Sequence, residues 1–370
     1  QQIILGLLLA TSFISAWVSN TATAAMMVPI ALAVLKVVRS TREDVPIDQA
    51  EHNFGICVLL AVAYGASLGG VLTLIGTPPN GIFARFVEQT YGTPVNFLDW
   101  MLIAFPIVLV MVVVTHLLMT KVLFRELVSE LPGGKEWVMH EYSKLGPMSR
   151  GEKIVLTVFV SAALLWCFGP MIRSIQIGDL MPFKPLSDTV IAMAAGIILF
   201  VIPVDNKHGI HALDWSSASE TVAWDVLLLF GGGLSMAAAI QKTGLADIIG
   251  AQATFLSALP EAAAIGGLTT LTVFASEFTS NTALAATMMP LVSAVADSTG
   301  MHPEALLVAT TFGASLAFMM PVGTPPNAII FGTGRIRIGE MIKAGFWLNV
   351  CGILVVTLIC SIFTVGMIPI

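Results

Sequence analysis

Apolar residues run almost unbroken from 3 to 35, and the polar interruption is Ser19-Asn20-Thr21. One helix over that block would be about 50 Å long, against a hydrocarbon core of roughly 30 Å. Two limbs of about sixteen residues each fall short of the roughly 20 needed to cross. The pattern therefore predicts a re-entrant helical hairpin with the polar triplet at its tip. Residues 260–296 repeat the design around Ser280-Asn281-Thr282. Pro29 and Pro290 each stand nine positions past the tip asparagine, so the returning limbs are expected to bend alike. Full spans are expected at 53–75, 97–123, 151–170, 186–203 and 222–240, and after the second hairpin at 303–322 and 339–368.

The polar positions are duplicated in detail. SNTATAAMMVPI, from Ser19, and SNTALAATMMPL, from Ser280, agree at eight of twelve positions. Downstream come GASLGGVLTLIGTPPN, ending at Asn80, and GASLAFMMPVGTPPN, ending at Asn327. Tandem prolines remove two amide donors and cannot sit inside a regular helix. Each span is therefore broken there, and its freed carbonyls need partners other than lipid. Two matched breaks and two matched tips point to two half-sites that hold a polar guest within a membrane. On this reading residues 1–91 form the first half of a transport domain. Residues 92–220 form scaffold and connecting helices with a cytoplasmic loop at 124–150, and 221–370 form the second repeat half.

Composition supports the same class. Hydrophobic residues make up 56% of the chain, charged residues 11%, and the mean hydropathy is +0.89. A soluble chain carries about a quarter charged residues, so this is an all-α polytopic membrane protein. No basic block suggests a nucleic-acid partner, and the four cysteines have no metal-ligand spacing. Thirteen of the seventeen Lys and Arg fall on one side of the expected topology, Lys36, Arg39, Arg42, Lys135 and Arg335 among them. The positive-inside rule makes that side cytoplasmic. An odd number of crossings between the hairpins makes the repeats inverted. The mixed charges of the long loop, Glu130, Lys135, Glu136 and Glu141 among them, read as a solvated linker. The chain begins QQIILGLLLA, without Met or a basic lead-in; together with the missing counterpart of 221–249, this gives the expectation of an N-terminally truncated fragment.

The chemistry of the duplicated motifs is oxygen-rich and uncharged. Unwound carbonyls with Ser, Thr and Asn oxygens suit Na⁺, while hydroxyl and amide donors at a helix N-terminus suit an anion. Asn20 and Asn281 can turn a carbonyl to a cation and an amide to an anion. Ser15 and Ser276 stand one turn before the tips. Neither motif contains Lys, Arg or His, and Glu277 is the only acid close to a tip, with Ala16 in the matching place. Glu277 is therefore expected to be a structural or modulating group. A site without a permanent cation becomes positive only when sodium is bound, which makes sodium and anion binding cooperative. No nucleophile–base pair lies within the apolar segments, so no enzyme is expected. His116 and the paired methionines read as packing residues.

With these motifs in view, the chain resembles the divalent anion:sodium symporter family over essentially its whole length. The two SNT tips and two GTPPN breaks carry that resemblance. It implies an inverted-repeat ion-transporter fold with two re-entrant hairpins and two broken helices, working as an elevator within a homodimer in a bacterial plasma membrane. By position it implies one sodium site at Ser15, Ser19, Asn20 and Gly76, and another at Ser276, Thr279, Asn281 and Gly323. Substrate carboxylates would lie between Ser19, Asn20, Thr21 and Thr77, and Ser280, Asn281, Thr282 and Thr324. Some relatives have Ser at the place of Thr77 and Ala at that of Gly323. The implied activity is Na⁺-coupled uptake of small divalent anions, C4-dicarboxylates such as succinate, malate or fumarate first. Sulfate, citrate or dicarboxylate exchange are the alternatives, and no organic cofactor is implied.

Overall fold

The structure is a computed structural model. It describes residues 1–40, 46, 48–128, 139, 142–144, 146–177, 179–205, 207–222, 224–245, 248, 251–252, 257–364 and 366. Arg42 and the loop charges Glu130, Lys135, Glu136 and Glu141 lie outside the described residues. In chain order the helices set out by the described residues are α1 (Gln2–Ser15), α2 (Asn20–Ser40), α3 (Gln49–Gly70), α4 (Pro78–Tyr91), α5 (Phe97–Leu117), α6 (Arg150–Arg173) and α7 (Asp188–Val201). They continue with α8 (Trp215–Thr221), α9 (Trp224–Lys242), α10 (Glu261–Ser276), α11 (Asn281–Thr299), α12 (Pro303–Ser315), α13 (Pro325–Gly332) and α14 (Ile338–Phe363). A wide π-helical turn, Leu118–Leu123, extends α5. The described residues are not helical throughout: Pro203–Asp205 and Ile210–His211 pair as a short antiparallel ribbon, whose turn uses Gly209 at φ 66°.

Both hairpins are present. α1 and α2 flank the first tip, and α10 and α11 flank the second. One limb departs from expectation. At 21 residues α2 is long and apolar enough to cross a membrane, because its helix continues past the apolar block through Lys36 and Arg39 to Ser40. α3, Phe97–Leu123, α6 and Ile338–Ile362 also meet that length and composition. Pro29 and Pro290 both sit inside the returning limbs, as placed by the sequence.

The chain forms two compact units, residues 1–95, 99–132 and 225–370, and residues 96–98 and 133–224. In the first unit, α1 lies along α3, and α10 lies along α12. A Cβ on Gly69 would overlap the Ser12 backbone, and one on Gly313 would overlap the Thr272 hydroxyl. Glycine at these positions is what lets the helices approach so closely. The short limbs cross over: α4 packs on α11, and α13 packs on α2 and α3. Each half-helix that follows a GTPPN break therefore rests on the hairpin of the other repeat. At the base of the second hairpin, Glu261 meets His302 at 3.0 Å, and that hydrogen bond raises the His302 pKa.

Two aromatic residues tie the repeats together. Trp100 is fully buried, donates its indole N–H to the Val71 carbonyl at 3.0 Å, and stacks on Phe312 of α12 at 5.5 Å. Tyr64 donates its hydroxyl to the Phe318 carbonyl at 3.1 Å and meets the Phe318 ring edge-on. In the second unit, α6 packs on α7, and Phe97 stacks on Trp166 at 5.4 Å. There the Arg173 guanidinium donates to the Asp188 carboxylate at 3.1 Å and to the side-chain oxygen of Asn96 at 2.9 Å.

Tyr64→Phe keeps the ring contact but leaves the buried Phe318 carbonyl without its donor. We expect a stability loss of roughly 1–3 kcal/mol, read as a lower unfolding midpoint of the purified protein. An unchanged midpoint would contradict the role given to this hydroxyl.

Candidate substrate and cation site

Each tip is built on three converging oxygens, one of them a hydroxyl. Ser15, fully buried, stands 2.7 Å from the Ala66 carbonyl and 2.8 Å from the Asn20 side-chain oxygen. Ser276 repeats this at 2.7 Å from the Ala314 carbonyl and 2.8 Å from Asn281 Oδ1. A serine hydroxyl has one proton to donate. Each tip thus gathers a hydroxyl, an amide carbonyl and a backbone carbonyl with a single hydrogen among them. Such an acceptor-rich cluster suits a hard cation. Gly70 closes the first cluster, since a Cβ there would overlap Asn20 Oδ1.

The breaks in α3–α4 and α12–α13 begin earlier than the prolines. α3 stops at Gly70 and α12 at Ser315, although the apolar pattern runs on in both. The cause is the asparagine of each GTPPN motif. Asn80 Nδ2 reaches the carbonyls of Gly70 at 3.1 Å, Val71 at 3.3 Å and Thr73 at 2.7 Å. Asn327 Nδ2 reaches those of Ala317 and Met320, both at 3.1 Å. Both asparagines are fully buried. Their amides take over carbonyls that an unbroken helix would have bonded to its own N–H groups. The prolines then start α4 and α13 without an orphan donor, behind Thr77 at φ −142°, ψ 143° and Thr324 at φ −142°, ψ 147°. The Thr77 side chain makes no cap bond, which leaves its hydroxyl open for other partners.

Where the halves differ, the unwound segment is held differently. In the first, the Thr73 hydroxyl donates to the Ala16 carbonyl and accepts from Gly76 N–H at 3.2 Å. In the second, the carboxylate of fully buried Glu277 takes the place of such a hydroxyl. It accepts the backbone N–H groups of Phe318 at 2.8 Å, Met319 at 2.9 Å and Met320 at 2.8 Å, and the Asn349 amide at 2.7 Å. All of these partners donate, so the carboxyl acts purely as an acceptor. Glu277 is thus a structural clamp on the second break, and Gly323 stands beside it: a Cβ there would lie 3.3 Å from Glu277 Oε2.

The remaining expected site residues divide by exposure. Ser19, Thr21, Thr279 and Ser280 are open, Asn20 and Asn281 half-buried, and Gly76, Thr77, Thr282, Gly323 and Thr324 buried. Ser19 Oγ accepts from Ala22 N–H at 3.4 Å at the start of α2, and Thr279 donates back to the Ala275 carbonyl at 2.9 Å. Through the crossed packing, α4 behind Thr77 rests on α11 behind Asn281, and α13 behind Thr324 rests on α2 behind Asn20. No hydrogen bond joins the two SNT triplets to each other. Sequence reading did not find Ala66, Asn80, Ala314, Asn327, Tyr64, Trp100 or Asn349. Asn80 and Asn327 close the quoted motifs, but their reach of ten and seven residues back carries no periodic signal.

This arrangement has relatives. A family model described as the sodium:sulfate symporter transmembrane region matches residues 1–368. The chain belongs to that family. The sodium-dependent dicarboxylate transporter SdcS of Staphylococcus saprophyticus is 36% identical over 359 residues, 97% of this chain and 68% of the relative. SdcS of Staphylococcus aureus is 38% identical over 361 residues, again 97% of this chain and 68% of the relative. The solved structure of the Alcanivorax borkumensis YdaH transporter superposes with a TM-score of 0.57 at 16% identity, over 99% of this chain and 86% of that one. That likeness speaks for the fold. As a member of this family with several membrane-spanning helices, the chain is an integral, multi-pass membrane protein and not an enzyme.

Glu277→Gln replaces one acceptor oxygen by an NH₂ group that faces backbone donors. The expected cost is roughly 3 kcal/mol, measured as a lowered unfolding midpoint. A variant as stable as the wild type would show that the clamp carries no weight.

Proposed function

We propose that the protein is a sodium-coupled importer of small divalent anions, with C4-dicarboxylates such as succinate, malate and fumarate as its substrates. The observation that carries the reading is the pair of tip clusters, each rich in acceptors and without a cationic side chain in its motif. Ser15, Ser19, Asn20 and Gly76 would hold one Na⁺, and Ser276, Thr279, Asn281 and Gly323 a second. The substrate carboxylates would meet the hydroxyl and amide groups of Ser19, Asn20, Thr21 and Thr77, and of Ser280, Asn281, Thr282 and Thr324, near helix N-termini. The names of the SdcS relatives support both sodium dependence and the dicarboxylate.

Without bound sodium the motifs offer a dianion only neutral donors. With sodium in place they supply the missing positive charge, so each ligand raises the affinity for the other by the same factor. Moving a charge of −2 inward against about 100 mV costs roughly 4.6 kcal/mol. Two Na⁺ cancel that cost, and a third would make uptake electrogenic. The family description leaves sulfate as a second reading. A homodimer in a bacterial plasma membrane, moving elevator-fashion, belongs to the same proposal.

In proteoliposomes, succinate uptake is expected with an inward sodium gradient and is expected to fall to background in choline. Equal uptake in both buffers would rule out symport and favour an exchanger. Asn20→Ala and Asn281→Ala are each expected to raise the KM for succinate and the half-saturating sodium concentration together, about tenfold or more for loss of a hydrogen-bonded ligand. A shift in only one of the two constants would contradict the shared role of these amides.

A further inference from the structure

A cavity of about 690 Å³ lies between the last turns of α2, the first turns of α3 and the turn that follows α13. It is remote from the tip on its own helix: Asn20 opens α2, and Arg39 stands roughly 28 Å further along at 1.5 Å per residue. Its walls are of two kinds. Leu32 and Ala33, both half-buried, supply apolar surface, while Lys36, Arg39 and Arg335 bring positive charge.

Two described acids nearby are already engaged. Glu51 pairs with Arg39 at 3.4 Å, and Glu340 is taken by His52 at 2.6 Å. Lys36 and Arg335 line the same cavity, are both exposed, and form no ion pair among the described residues. Two cations without an ion pair among the described residues, over an apolar wall at the end of a helix long enough to cross a bilayer, stand where headgroups lie. Basic pockets between membrane helices bind phosphate headgroups for this reason.

We propose that this cavity binds the phosphate of an anionic phospholipid, with Lys36 and Arg335 as its charge partners and Leu32 and Ala33 against its first acyl segment. A free phosphate would use the two cations but gain nothing from the apolar wall. The occupant would tie the returning limb of the first hairpin to both broken helices. The assignment is independent of which anion the protein carries.

Native mass spectrometry of the purified full chain, titrated with phosphatidylglycerol or phosphatidylcholine, tests it. The wild type is expected to retain phosphatidylglycerol in preference. Lys36→Gln and Arg335→Gln are each expected to weaken that binding roughly 5-fold, at about 1 kcal/mol per basic residue. Lys36→Arg with Arg335→Lys, which preserves charge and serves as the folding check, is expected to keep it. Equal retention of the two lipids, or undiminished binding by the double Gln variant, would overturn the site. Displacement of the lipid by millimolar inorganic phosphate would overturn the lipid assignment in favour of a free anion.

Discussion

A helix interrupted inside a bilayer must find partners for the backbone groups it releases, because lipid offers none. Everything distinctive in this chain answers that constraint. At each break one buried asparagine turns its amide onto the released carbonyls, seven and ten residues back. At each tip one serine spends its only proton between a side-chain and a backbone oxygen. At the breaks and tips these donors are engaged, and the side-chain oxygens of Asn80 and Asn327 are left over as buried acceptors. An excess of acceptors with no cationic side chain in either motif is the property a sodium-dependent anion site requires.

The two halves meet this constraint alike at their tips and differently at their breaks. The first uses the hydroxyl of Thr73 against the Ala16 carbonyl. The second uses a buried carboxylate, Glu277, against three backbone N–H groups and Asn349. A fixed acceptor of that kind rigidifies the second break, and it stands beside Gly323 with no counterpart near Gly76. The half-sites are therefore related in geometry and unequal in charge. Trp100 and Tyr64, each bonded to a carbonyl of an unwound segment, then couple the segments to one another through packed aromatic rings.

Much of this was legible in the sequence because it was written twice. The SNT triplets interrupt apolar blocks too long for one helix and too short for two spans, and the paired prolines forbid regular helix. Those are local rules, and the structure follows them. The helix ends were not legible: hydropathy carries α3 to 75 and α12 to 322, whereas the side chains of Asn80 and Asn327 stop them at Gly70 and Ser315. The length of α2 escaped for a related reason, since Lys36 and Arg39 leave the apolar pattern but not the helix. Contacts such as Tyr64 to Phe318, 254 residues apart, are set by tertiary packing and leave no trace in periodicity. Glu277 could be singled out as the acid near a tip that has no twin in the other repeat, but its four donors could be named only from the fold.

On this account a pocket without a cationic side chain in its motifs captures a dianion only after sodium fills the acceptor clusters at Ser15–Asn20 and Ser276–Asn281. Equilibrium binding of radiolabelled succinate to the purified protein, in sodium and in choline at equal ionic strength, tests this most directly. Saturable binding in sodium and none in choline is the predicted result. The same dissociation constant in both media would contradict it.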